Sequence, residues 1–106
     1  MLRKRLEGFS LLDFDDLLIL TLFYEECSFK EVSSFLKVTR PAISHRLKKY
    51  IDVFGFDLFC LLQKQKILTP EGEVVAIRAK RALCVLLGLD EKNFVLRNSR
   101  QVVKSN

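Results

Sequence analysis

A mainly α-helical fold, with a three-helix core, a small β-hairpin and a long following helix, is predicted by three observations. First, two helix-start signals, Ser28-Phe29-Lys30-Glu31 and Thr39-Arg40-Pro41, stand so close together that the helices they open are joined by a very short turn. Second, residues 56–68 run from apolar to basic-polar and back to apolar, the pattern of two short strands around a turn. Third, Thr69-Pro70-Glu71 restarts a helix, and the apolar stretch behind it runs to Leu87 before Gly88 stops it.

The first helix is expected to begin at Asp13, an N-cap residue, with Asp15 and Asp16 placed favourably against the positive end of the helix dipole. Leu17 to Leu20, Leu22, Phe23 and Tyr24 make it apolar almost all round, so it packs deeply and ends near Glu26. The second helix opens with the capping box at Ser28 and Glu31, turns Val32, Phe35 and Leu36 inward, and stops near Lys37. The third opens at Thr39 with Pro41 in its first turn. At about 100° per residue, Ile43, Leu47, Tyr50 and Phe54 share one stripe. Pro41, His45, Lys48 and Lys49 fall opposite, with Arg40 and Ser44 beside them, and Gly55 ends the helix. Two helices at this spacing make a helix-turn-helix.

Leu58 to Leu62, the polar Gln63-Lys64-Gln65-Lys66, then Ile67 and Leu68 read as the hairpin wing of a winged helix-turn-helix, although no Asn-Gly or Asp-Gly marks its turn. The helix from Pro70 to about Leu87 is too apolar for one-sided packing. Its surplus, expected at Val74, Ile77, Leu83, Val85 and Leu86, implies a matching helix from a second copy and hence a homodimer. The chain thus divides into residues 1–69, a winged helix-turn-helix; 70–88, a linker and dimerisation helix; and 89–106, a C-terminal tail. In the tail, Phe94–Leu96 and Val102–Val103 are candidates for short strands.

Composition narrows the function. A length of 106 residues suits one domain with a short appendage, and 49% hydrophobic residues with nine phenylalanines support a real core. The net charge of +5 is unevenly spread: residues 1–31 hold seven acids and four bases, residues 32–106 six acids and fourteen bases. Between Val32 and Ile51 there is no acid, while Lys37, Arg40, Arg46, Lys48 and Lys49 are all present. This is the footprint of a polyanion binder, or else a solvated basic face. Cys27, Cys60 and Cys84 are odd in number and far apart, so neither a disulfide framework nor a zinc site is expected. They read as small buried hydrophobes in a reducing, cytoplasmic setting. No signal peptide or membrane span is legible. No phosphate loop, nucleophile elbow or metal-spaced constellation suggests an enzyme, and no cofactor is expected.

The run from Cys27 to Ser44, CSFKEVSSFLKVTRPAIS, resembles the helix-turn-helix of LysR-type transcriptional regulators. The likeness continues through Gly55, Leu58-Phe59 and Leu68-Thr69-Pro70-Glu71-Gly72, covering about residues 11–87. It implies a recognition helix, residues 40–54, lying in the major groove of DNA, and dimers paired through the helix that follows the wing. The family usually has glutamine before the proline and arginine after the serine, where this chain has Arg40 and His45. Val32-Ser33 replaces a pair of small alanines, and Leu61 stands where an arginine is usual. The family's small-molecule inducer domain would begin where these residues end, so no small-molecule effector is expected to act on them.

The expected function is therefore sequence-specific binding of double-stranded DNA by a small transcriptional regulator. Arg40 and Ser44 would reach base edges, with Pro41, His45 and Lys48 alongside; Thr39, Lys49, Lys64 and Lys66 would grip phosphates. The alternative is a winged helix that serves as a protein-interaction module, using Leu61, Leu62 and the last helix.

Overall fold

Helices in this protein start where a side chain takes up an orphaned backbone N–H. The computed structural model describes residues 8–99. Within them the elements are α1 (Phe14–Tyr24), α2 (Phe29–Leu36), α3 (Arg40–Phe54), β1 (Phe59–Leu62), β2 (Gln65–Leu68), α4 (Pro70–Leu87) and one 3-10 turn at Leu96–Asn98. This is a winged helix-turn-helix. Asp13 caps α1 and Asp16 answers it: Asp16 N–H donates to Asp13 Oδ1 at 3.1 Å, and Asp13 N–H to Asp16 Oδ2 at 2.9 Å. The same reciprocal box opens α2, where Ser28 Oγ accepts from Glu31 N–H at 3.1 Å and Glu31 Oε1 from Ser28 N–H at 2.7 Å. Thr39 and Thr69 cap α3 and α4 through the N–H groups of Ala42 and Gly72. At the other end of α3, Gly55 takes the left-handed conformation, with φ of 85°.

The turn between α2 and α3 is closed from within. Lys37 adopts φ of 58°, Val38 N–H donates to the Ser33 carbonyl at 3.1 Å, and the Ser33 hydroxyl donates to the Val38 carbonyl. Ser33, one of the two residues standing where the resembled family has small alanines, thus braces the turn with its hydroxyl.

The core is built around α1, buried on nearly every side: Leu18, Ile19, Leu20, Leu22 and Phe23 are all at most 5% exposed. Its most extensive partner is α4, which contributes Val75, Ala76, Ala79, Leu83 and Cys84. The core therefore crosses the boundary expected at residues 69 and 70. Beyond Gly88 the chain folds back onto α1. Asp90 organises a turn by accepting from Lys92 N–H and Asn93 Nδ2, and Phe94 and Leu96 enter the core. No strand forms at Phe94–Leu96; a 3-10 turn stands there instead, because the Glu25 carboxylate accepts both the Leu96 and Arg97 N–H groups, at 2.7 and 2.8 Å. Val102–Val103 lie outside the described residues.

β1 and β2 pair antiparallel with Phe59 opposite Leu68 and Leu62 opposite Gln65, leaving a two-residue turn at Gln63-Lys64. Both turn residues have positive φ, 51° and 67°, which suits the twist of a tight hairpin but strains side chains other than Asn and Gly. The double change Gln63→Asn/Lys64→Gly is expected to stabilise the protein by about 1 kcal/mol; an unchanged or lowered urea midpoint would show that the turn is not strained. Only the base of the ribbon reaches the core, where Phe59 packs edge-on to Phe23 with ring centroids 4.8 Å apart. Cys60, Leu61 and Leu62 are exposed further out. Cys60 is thus not the buried hydrophobe expected, since a free two-stranded ribbon has no second layer to cover it. Cys27 and Cys84 are buried, and burial raises both thiol pKa values.

Candidate nucleic-acid interface

The outer face of α3 is open to solvent. Thr39, Arg40, Pro41, His45 and Lys48 are exposed and Ser44 is half-buried. On the inner face Ile43, Leu47 and Tyr50 are buried against the core. The stripe read from the periodicity therefore separates the two sides of the helix, with one exception.

That exception is Lys49. Its ammonium donates to Asp16 Oδ2 at 3.0 Å and to the Leu11 carbonyl at 2.8 Å, and its side chain is only 22% exposed. The expected phosphate contact at Lys49 is replaced by an intramolecular ion pair across α1 and α3. Arg46 is engaged in the same way, bonding Asp13 at 2.8 Å and Asp16 at 3.0 Å. The acid-free stretch thus holds two bases whose counter-ions come from thirty or more residues upstream. Lys37, Arg40 and Lys48 remain as its exposed cations.

Asp16 is the centre of this arrangement and is fully buried. Besides Arg46 and Lys49 it accepts the Tyr50 hydroxyl at 2.6 Å. Burial, then the Asp16 carboxylate beside it, pushes the Tyr50 phenol far above its ordinary range. Burial alone would raise Asp13, but the hydrogen bonds from Arg46 and from Asp16 N–H outweigh it and hold that carboxyl below the usual carboxylate value.

Charges that are far apart in sequence meet at a cleft beside the open face of α3. It measures about 780 Å³ and is bordered by the starts of α2 and α3, by the hairpin and by α4. Lys30 of α2, Arg40 of α3, and Lys64 and Lys66 of the hairpin line it, together with two acids, Glu26 and Glu73. Phe29, Ile67 and Leu68 form apolar walls. The start of a helix adds partial positive charge from its free N–H groups, and here two such starts, of α2 and α3, flank one cleft. Lys30 was not among the residues expected from the sequence. Its only signal was its place one residue before Glu31 in the capping box, on the outer side of a short helix.

The residues expected at a dimer surface divide. Val74 is 48%, Val85 81% and Leu86 66% exposed, and Ile77 is half-buried. Leu83 is completely buried in the core and is not available to a partner. Leu87 and Leu89, at 39% and 38%, extend the exposed apolar end of α4.

Among the described residues no group of three or more His, Cys, Asp or Glu side chains is arranged to hold a metal ion. No described helix is long and apolar enough to cross a membrane.

The chain is 33% identical over 91 residues to the uncharacterized HTH-type transcriptional regulator YraN of Bacillus subtilis (strain 168). That similarity takes in 86% of this chain but only 31% of the length of YraN. No protein-family model matches the chain, and no solved structure matches it.

Proposed function

We propose that this chain binds double-stranded DNA in a sequence-specific way as the reading domain of a transcriptional regulator, with α3 in the major groove. The observation that carries the reading is the convergence of Lys30, Arg40, Lys64 and Lys66, from three separate elements, on one cleft beside the exposed face of α3. The helix supplies base contacts and the cleft grips the adjoining phosphates. Arg40 and Ser44 reach base edges, with Pro41, His45 and Lys48 alongside, while Thr39, Lys64 and Lys66 hold phosphate oxygens. The likeness to a protein named as an HTH-type transcriptional regulator supports the same reading.

The order of elements, with a long helix directly after the wing, favours the LysR-type arrangement. In that arrangement Val74, Ile77, Val85 and Leu86 of α4 pair with the same helix of a second copy, so the DNA half-sites are spaced by about one helical turn or a multiple of it. The protein acts in the cytoplasm, on the nucleoid. Leu61 and Leu62, 67% and 58% exposed on the hairpin, favour a second reading in which the winged helix binds another protein.

Selection of bound duplexes from a random-sequence pool, followed by affinity measurements on variants, tests the proposal. Lys64→Ala/Lys66→Ala is expected to weaken the selected and random duplexes alike. Arg40→Ala is expected to relax the preference at particular base pairs, by about 1–3 kcal/mol. Uniform loss from Arg40→Ala would contradict its assignment to base edges, and the absence of any selected motif would favour the protein-interaction reading.

A further inference from the structure

The four hydrogen bonds to Asp16 point to a role beyond stability. Three of its donors lie on α3: Arg46 and Tyr50 bond Oδ1, and Lys49 bonds Oδ2, where the Asp13 N–H already donates. Four donors use the full accepting capacity of one carboxylate. Positions 46, 49 and 50 fall within about one helical turn. At about 100° per residue Arg46 and Tyr50 lie on the side of α3 away from Ser44 and Lys48, and the Lys49 side chain reaches back from the outer face to join them. A buried carboxylate with its partners gives little net stability compared with apolar packing, but its directionality fixes register in a way apolar packing does not. Ile43 and Leu47 would tolerate a small roll of α3 against α1; a set of bonds of 2.6–3.0 Å converging on one carboxylate would not.

We infer that Asp16 is a positioning residue for recognition: it clamps the roll of α3 through Tyr50, Arg46 and Lys49, and so sets which base edges Arg40 and Ser44 meet. The inference rests on the DNA-binding reading above. It also gives a purpose to Arg46 and Lys49, the two bases of the acid-free stretch held by upstream carboxylates, because they orient the helix that carries them.

The test compares the wild-type chain with Tyr50→Phe and Asp16→Asn. Tyr50→Phe keeps the buried ring and deletes only one donor, so it remains informative if Asp16→Asn does not fold. Each folded protein is used to select duplexes from a random pool, and its affinity is measured for the wild-type motif and for random DNA. The clamp predicts that Tyr50→Phe selects a blurred or shifted motif. It also predicts that the ratio of motif to random affinity falls by about tenfold while random-DNA affinity and its salt dependence hold. A purely structural role would lower the fraction of active protein and leave the motif and the ratio unchanged, which would overturn the inference. A wild-type chain that binds no duplex would overturn the DNA reading itself, a result distinct from an unchanged ratio.

Discussion

Replacing Gly72 by alanine is expected to destabilise the protein by about 3 kcal/mol, which for a domain of this size lowers the melting temperature by roughly 10 °C or more. A Cβ at position 72 would stand 2.1 Å from the Leu58 carbonyl oxygen and 2.9 Å from its carbon. Both are backbone atoms, and they cannot rotate away. The same Leu58 oxygen accepts the Thr69 N–H at 2.9 Å, so pushing it aside also loosens the cap of α4. The sign of the effect is informative. Glycine inside a helix normally costs about 1 kcal/mol relative to alanine, so without the close approach the substitution would stabilise. Urea unfolding of the two proteins decides the matter: a lowered midpoint at unchanged slope is expected, and a raised midpoint would show that the hairpin and α4 do not meet at this distance.

Asp16→Ala is expected to cost about 3 kcal/mol as well, for a different reason. The substitution leaves the Tyr50 hydroxyl buried without its acceptor and removes the acid half of the capping box of α1. Arg46 and Lys49 would suffer less, because their side chains are 28% and 22% exposed and can turn to water. The double variant Asp16→Ala/Tyr50→Phe should therefore recover part of the loss, since it takes away the stranded hydroxyl. Chemical denaturation of the single and double variants reads the coupling. Strictly additive losses would mean that the Asp16–Tyr50 bond contributes nothing of its own.

Much of the fold was legible because it depends on short-range chemistry. The N-cap at Asp13, the capping box at Ser28, the threonine caps at Thr39 and Thr69, and the glycine stops at Gly55 and Gly88 are each set by residues within one turn of the helix end, whereas the answering bond from Asp16 that completes a box at Asp13 appears only in the structure. The hairpin was legible from its polarity pattern, though its turn is tighter than the four polar residues suggested, since Gln65 and Lys66 belong to β2. What escaped the sequence depends on distant partners. Periodicity places Lys49 on the outer face of α3, opposite the apolar stripe, and says nothing of Asp16, thirty-three residues earlier, which draws its ammonium inward. Leu83 belongs to a helix so apolar that no single stripe stands out as the core-facing one, and only the packing against α1 chooses it. The fold-back after Gly88 likewise depends on Glu25 receiving two N–H groups from Leu96 and Arg97, while Arg97 reaches Glu31 at 3.2 Å. The candidate interface was legible in part: its residues on α3 follow from the helix periodicity, whereas the cleft that joins Lys30 and Arg40 to the hairpin lysines exists only once the elements are packed.

The most direct test of the central claim is a titration of the protein into a labelled random-sequence duplex at several salt concentrations. Each phosphate neutralised by a cation releases bound counter-ions, so log affinity should fall linearly with log salt, with a slope of about −3 or steeper for each chain bound. Lys64→Ala/Lys66→Ala should flatten that slope, and Lys49→Ala, whose charge is already held by Asp16, should leave it nearly unchanged. Binding that is absent at low salt, or that does not respond to salt, would contradict the assignment of this basic face to DNA.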